Sequence, residues 1–182
     1  KDRYPIQTYV LPENAQIIKY AVLKELARGG QTFILYNNVQ NIESKKVELE
    51  RLIPAAKIGV AHGQMTKEKL EMVMLDFIDK KYDVLLCTTI IETGIDIESA
   101  NTLIIIDADH FGLSQLYQIR GRIGRSNKIA YCFLMYDIKK ILSEIATKML
   151  KFIRDFTELG SGFAIAMRDL SIRGAGDLLG SE

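Results

Sequence analysis

Short runs of consecutive apolar residues alternate along the chain with longer stretches in which apolar positions recur every three or four. The runs are Phe33–Tyr36, Val84–Cys87, Leu103–Ile106 and Tyr131–Met135, with a weaker one at Lys57–Ala61 and a further candidate at Ile6–Leu11. A strand covered on both faces needs apolar side chains on both, so these runs predict a parallel sheet between helix layers. Helical spacing fills the intervals. Asn14–Arg28 places Ile17, Ile18, Ala21, Val22 and Leu26 on one side and stops at Gly29-Gly30. Asn41–Leu52 ends before Pro54, and Thr66–Asp79 carries Leu70, Val73, Met74 and Phe77 on one stripe behind a Thr-x-x-Lys that is half a capping box. Ile138–Phe156 reads as a long amphipathic helix. The rhythm predicts a doubly wound α/β domain, whose sites gather at the carboxyl ends of its strands. The segments after residues 36, 61, 87 and 106 are therefore where chemistry is expected.

Composition narrows the classes. The 182 residues suit one domain of ordinary size or one domain with an appendage, and 48% hydrophobic with 26% charged residues excludes a largely disordered chain. With 24 Lys+Arg against 23 Asp+Glu the formal net charge is +1, so any site for a polyanion must be a local cluster. No apolar run approaches a membrane span, and KDRYPIQTYV has no signal-peptide core. Cys87 and Cys132 lie inside apolar runs, as buried free thiols do, and no CxxC or paired His suggests a metal. A reducing, cytoplasmic setting is expected. Residues 157–182 differ from the rest: five glycines (160, 162, 174, 176, 180) surround Arg168 and Arg173. We expect a domain over 1–156, a separate segment over 157–182, and a parent polypeptide longer than this chain.

Four segments hold candidate chemistry. Between Phe111 and Tyr136 stand Arg120, Arg122, Arg125 and Lys128 and no acid, a local +4 within Gln118-Ile-Arg-Gly-Arg-Ile-Gly-Arg125 and its flank. Arginine forks grip phosphate oxygens in pairs, and glycine lets backbone approach closely. A solvated basic turn is the bland alternative. The three-residue spacing of Arg122 and Arg125 is expected to bring both guanidinium groups to one side of a helix end. Thr88-Thr89 follow a buried strand, where hydroxyls can donate to a phosphate backbone, and Gly94 and Asp96 suit close approach to a polar ligand. An ordinary strand-to-helix loop would look the same. His62-Gly63-Gln64-Met65 follows the weak strand, and His62 alone reads as readily as a turn residue. Asn37-Asn38 could simply cap the next helix.

Taken together and in this order, QxxGRxGR, TTxxxxGxD, the HGQM segment and the ILYN strand end resemble the second RecA-like motor domain of superfamily 2 helicases and translocases. The resemblance spans nearly the whole chain. HGQM, IIETGIDI, DADHFGLSQL and GRIGRS look like the branch that holds RecG and the transcription-repair coupling factors, and more like the latter; GSGFAIAMRDLSIRGAGDLLG is similar to the segment called TRG in both. Glu98 stands where that branch often has Pro.

The resemblance implies a RecA-like lobe with half of an ATPase site, because GxxxxGK[ST] and a strand-terminal DExx box are both missing here. ATP and Mg2+ would be held mainly by a first RecA-like lobe of the same polypeptide. It implies that Arg122 and Arg125 reach the γ-phosphate and that Gln118, Gly94 and Asp96 line the nucleotide side. Asn37, His62, Gly63, Gln64, Thr88 and Thr89 would face double-stranded DNA, and Arg168 and Arg173 would couple nucleotide state to DNA grip. The implied parent is an ATP-dependent translocase of transcription-coupled repair that meets RNA polymerase through other domains. RecG-like fork remodelling, a non-catalytic α/β module that binds phosphate or protein, and a complete metabolic nucleotide-binding enzyme are the alternatives. The last would rest on Gly174-Ala175-Gly176, which follows no clear strand.

Overall fold

A computed structural model describes residues 6–88, 97–124 and 126–137, with residues 139, 144, 147 and 148 beyond them. All but four positions of the helix expected over 138–156 lie outside these residues, as does all of 157–182 with Arg168 and Arg173.

Six strands form one sheet: β1 (Ile6–Pro12), β2 (Gln31–Tyr36), β3 (Ile58–Ala61), β4 (Val84–Cys87), β5 (Ala100–Ile106) and β6 (Ala130–Tyr136). Their order is β1-β6-β5-β2-β4-β3, and every pairing is parallel. Each predicted run became a strand. Three strands start earlier than the apolar runs do: β6 by Ala130 alone, β2 by Gln31-Thr32 and β5 by Ala100-Asn101-Thr102, whose polar members are nonetheless buried.

The helices are α1 (Ala15–Ala27), α2 (Ile42–Leu52), α3 (Lys67–Ile78) and α4 (Leu113–Arg120). Asn14 caps α1 by accepting from the Ile17 N–H at 3.1 Å, and Thr66 caps α3 by accepting from the Lys69 N–H at 3.2 Å. The half capping box therefore works as a cap with its Thr alone. Gly29, at φ +83°, takes the left-handed step that ends α1.

Strand alternation sorts the helices onto two faces. Thr102 is in register with Tyr131 and Thr32, and its hydroxyl donates to Glu25 of α1. Tyr36 points the same way and lies 5.1 Å beneath the Lys45 ammonium of α2. The opposite face carries Phe33, whose ring centroid is 5.3 Å from that of Phe77 in α3, and Thr8, which accepts from Arg120 of α4 at 3.3 Å. With α1 and α2 on one side and α3 and α4 on the other, the central strands are fully enclosed. Ile34, Leu35, Leu85, Leu86, Leu103 and Ile104 are all within 1% of complete burial. Each such side chain contributes about 1.5–3 kcal/mol by leaving water.

Candidate functional site

Because all strands run the same way, the segments that follow them emerge at one edge of the sheet. Those after β2, β4 and β3 are neighbours there, which brings Asn37, Thr88 and His62 into one row. Asn38, not Asn37, does the capping: its side chain accepts from the Asn41 N–H at 3.1 Å, at the head of the 3-10 turn Val39–Asn41. Asn37 is exposed.

His62–Met65 is a closed turn. Met65 N–H donates to the His62 carbonyl at 3.1 Å, His62 N–H donates to the Met65 sulfur at 3.3 Å, and Gln64 N–H donates to His62 Nδ1 at 3.2 Å. The imidazole is thus turned back onto its own backbone, while Gly63 and Gln64 are exposed at the tip. A Cβ added at Gly63 would meet nothing within 4 Å, so an unobstructed backbone surface is presented to whatever approaches. Thr88 N–H donates to the Ala61 carbonyl at 3.2 Å, fixing the start of the 88–96 segment to the root of this turn. Thr89, Gly94 and Asp96 lie outside the described residues.

At the same edge, β5 is followed by Asp107, whose φ of +58° is in the left-handed region that few non-glycine residues enter. Asp109 follows, with one carboxylate oxygen buried and without a hydrogen-bond partner among the described residues. Neither was singled out from the sequence.

The arginine segment is elsewhere. Its first part is helical: Gln118, Ile119 and Arg120 form the last turn of α4, a helix too short and too polar to show a clear period in the sequence. Leu116 and Ile119 are buried and hold it to the sheet. Helical geometry stops at Arg120, and Gly124 turns the chain at φ +80°. The helix thus ends before Arg122, which lies in the turn that follows it. Arg122 is half-buried, Gln118 is exposed, and Arg125 lies outside the described residues.

The segment that follows runs into the start of β6, at the amino edge of the sheet. There Ser126 Oγ accepts from Asn101 at 3.0 Å, Lys128 Nζ donates to the Arg28 carbonyl at 3.0 Å, and Arg28 Nη2 donates to the Ile129 carbonyl at 2.8 Å. The candidate residues therefore fall into two groups at opposite ends of the strands, with Gln118 and Arg122 toward the amino edge.

That edge is knitted by buried polar side chains. Glu25 accepts from Arg28 Nε at 2.8 Å and Nη2 at 2.7 Å, and Arg28 is held in its charged form first by that hydrogen bond, against the opposing pull of burial. Gln31 Nε2 donates to the Phe77 and Tyr82 carbonyls, both at 2.7 Å, and its oxygen accepts from Ser99. Glu25 sits at helical spacing on the apolar stripe of α1, a position where a charge signals a partner, and that was its only trace in the sequence.

Cys87 and Cys132 are free and wholly buried, and burial pushes both thiols up to about 12. Among the described residues no group of three metal-ligating side chains occurs, and no helix is long and apolar enough to cross a membrane.

This arrangement has known counterparts. The chain is 58% identical over all its 182 residues to the transcription-repair-coupling factor of Staphylococcus epidermidis and 57% identical to that of Bacillus subtilis, and spans 16% of the length of each. Among solved structures, RecG bound to a three-way DNA junction is 36% identical with a TM-score of 0.72, over 97% of this chain and 23% of that one. The C-terminal domain of the DEAD-box protein Dbp5, 18% identical with a TM-score of 0.54 over 86% of this chain and 87% of that one, shares the fold. Residues 14–127 match the model of the helicase conserved C-terminal domain, a span that runs from the cap of α1 through every described candidate residue. The chain is therefore a RecA-like lobe with a six-stranded parallel core, and it belongs to the helicase conserved C-terminal domain family.

Proposed function

We propose that this chain is the second motor lobe of an ATP-dependent double-stranded DNA translocase that acts in transcription-coupled repair. The observation that carries the reading is the division of polar groups between the two ends of one rigid sheet. One end offers the exposed Asn37 and the exposed Gly63–Gln64 tip of the His62–Gln64 turn, with Thr88 buried at the root of that turn. The other offers an amide and a cation, Gln118 and Arg122. Groups of the first kind suit a ladder of backbone phosphates, which carries no sequence information. Those of the second kind suit the concentrated charge of a nucleotide.

The fit to a triphosphate rests on this second group. Gly121 and Gly124 flank Arg122, and among the described residues no carboxylate pairs with its guanidinium. ATP with Mg2+ would supply the phosphoryl group whose transfer drives movement, and a first RecA-like lobe would hold most of it. Arg122, with Arg125, would stabilise the charge that develops on the transferred group, an effect of roughly 10³–10⁵ in related hydrolases. Gln118 would orient by hydrogen bond, with Gly94 and Asp96 lining the same side of the cleft. Arg168 and Arg173 would link this to the DNA grip.

Relatives at 57–58% identity named transcription-repair-coupling factor support this reading over fork remodelling, for which the 36% identity to RecG speaks more weakly. RNA polymerase would then be a partner of other domains of the parent, and the setting cytoplasmic. The test is a two-lobed parent assayed for ATP hydrolysis with and without duplex DNA, and for release of a stalled transcription complex. Hydrolysis without release would favour the fork-remodelling reading; no DNA-stimulated hydrolysis would favour a binding module.

A further inference from the structure

The neighbouring strands β1 and β6 share an alternation of burial that the other described strands lack. Gln7 and Tyr9 in β1, and Tyr131 and Phe133 in β6, are only half-buried, while the residues between them are enclosed on the opposite face. A strand with one open face ordinarily carries polar residues there. Here three of the four are aromatic, and the fourth, Gln7, accepts from the Tyr9 hydroxyl at 3.0 Å. The Tyr9 and Phe133 rings stack with centroids 5.2 Å apart. This is the face that bears α1 and α2, but α1 lies chiefly over β2 and β5, and α2 over β3 and β4. An apolar patch held open by the fold in this way marks a surface of contact.

A cavity of about 170 Å³ opens between this aromatic floor and α1. Tyr20, 62% exposed, lines it together with Lys24 and Arg28. The Lys24 ammonium lies 4.4 Å over the Tyr131 ring, and the Arg28 guanidinium 5.4 Å from the same ring. Glu25 is the one acid among the described lining residues, and it is buried with both oxygens taken by Arg28 and Thr102. It is therefore closed to a ligand, and the charge the cavity presents is positive.

Size and polarity select the occupant. A dry cavity of about 150 Å³ takes one benzene, so this one has room for a single aromatic or branched aliphatic side chain. A nucleobase needs a free ring face to stack on, whereas here the cations lie over Tyr131, and Tyr9 and Phe133 are stacked on each other. We propose that the open β1–β6 face is a docking site for an acidic protein segment, which inserts one large apolar side chain between α1 and the aromatic floor and sets its carboxylates against Lys24 and Arg28. The site is separate from the groups assigned above to DNA and nucleotide, and it does not depend on that assignment.

The chain contains no tryptophan, so a peptide that carries one reports its own binding. The hexapeptide Glu-Asp-Trp-Leu-Asp-Glu, blocked at both ends and titrated with the 182-residue protein, should show a saturable blue shift of its indole emission. Binding should weaken as salt is raised. It should weaken by at least about tenfold in Lys24→Glu, where like charges meet. Tyr20→Ala should weaken it as well. Both side chains are exposed, so the two variants should melt as the wild type does, and Lys69→Glu on α3 should bind normally. A peptide with lysine in place of its acids should not bind, and one with alanine in place of Trp and Leu should not compete. If Lys24→Glu lowers the melting temperature, Tyr20→Ala decides alone. The absence of a saturable shift overturns the proposal, as does binding that a normally melting Lys24→Glu or Tyr20→Ala protein retains in full. Displacement of the bound peptide by single-stranded DNA would also overturn it and make the face a nucleic-acid surface.

Discussion

Gly30 and Glu25 are fitted to one another so closely that no side chain can stand at position 30. A Cβ added there would overlap the Glu25 Oε2 atom and come within 3.0 Å of the Ser99 carbonyl. The carboxylate cannot retreat, since Arg28 and Thr102 hold both its oxygens. Gly30→Ala should therefore destabilise the chain by about 1–3 kcal/mol, as overpacking does. Glu25→Ala should cost about 3 kcal/mol, the lower end for breaking a buried ion pair, because Arg28 keeps some contact with water. In the double variant the clash is gone, so the combined loss should fall short of the sum by at least about 0.5 kcal/mol. Urea unfolding of the four proteins checks this; strictly additive losses would mean that the two positions do not touch.

Arg122→Lys and Arg125→Lys, made singly in the two-lobed parent, keep the charge but lose the planar fork. Each should lower kcat for ATP by at least roughly tenfold, about 1.4 kcal/mol. Melting should be little changed for Arg122→Lys, whose guanidinium is paired by no described carboxylate. DNA-stimulated turnover beside thermal melting separates the cases. Normal turnover would remove the arginines from the reaction, and a collapsed melting temperature would assign them a structural role.

The two thiols give the chain an alkaline weakness. Cys87 and Cys132 are pushed from 9.0 to about 12 by burial, and Tyr136 from 10.0 to about 12 by the same cause. A group whose pKa is raised on folding contributes stability that is intact below its unfolded pKa and is lost as pH climbs toward the folded one. Stability should therefore fall between pH 9 and pH 12, and the fall should be shallower in the Cys87→Ala/Cys132→Ala double variant. Equal slopes in denaturant titrations at several pH values would count against the burial argument. A thiol reagent should label neither cysteine in the native protein near neutral pH.

Binding of this lobe alone to duplex DNA should be weak and should drop as salt is raised, because only a few groups meet phosphates and few counterions are released. Gln64→Ala should weaken it about equally on unrelated sequences. Fluorescence anisotropy at several salt concentrations measures both; tight, salt-insensitive or sequence-selective binding would contradict the assignment of the 62–64 turn.

Much of this architecture could be read from the chain because a parallel sheet between helices writes itself as consecutive apolar residues. Val84–Cys87 was bounded correctly for that reason. The same rule cut Gln31, Asn101 and Thr102 from their strands, since polarity at a buried position is explained only by its partners, and apart from the Glu98 carbonyl of Asn101 these are distant in sequence. The HGQM turn and the Asn pair were located, but the division of labour between Asn37 and Asn38 depends on a hydrogen bond to Asn41 that spacing cannot choose. Gln118–Arg125 was found by charge, but the helix that holds its first part was not: α4 is eight residues long, and its apolar positions are too few to reveal a helix. That the arginine segment lies at the edge away from His62 and Thr88 follows from topology, which motif order does not encode.

The pairing of β1 with β6 sets the schedule on which this lobe can become whole. Arg120 and its acceptor Thr8 are 112 positions apart, and every contact of the first strand with its partner spans a comparable stretch of chain. At a synthesis rate of about 5–20 residues per second, β1 waits roughly 6–25 seconds after its own emergence before its partner exists. Throughout that interval its hydrogen-bonding edge is unmet, and β6, on which the first strand closes, is the last of the described strands to be made. The strand order itself therefore leaves the nascent lobe open to mispairing for as long as translation takes to cover the stretch between β1 and β6.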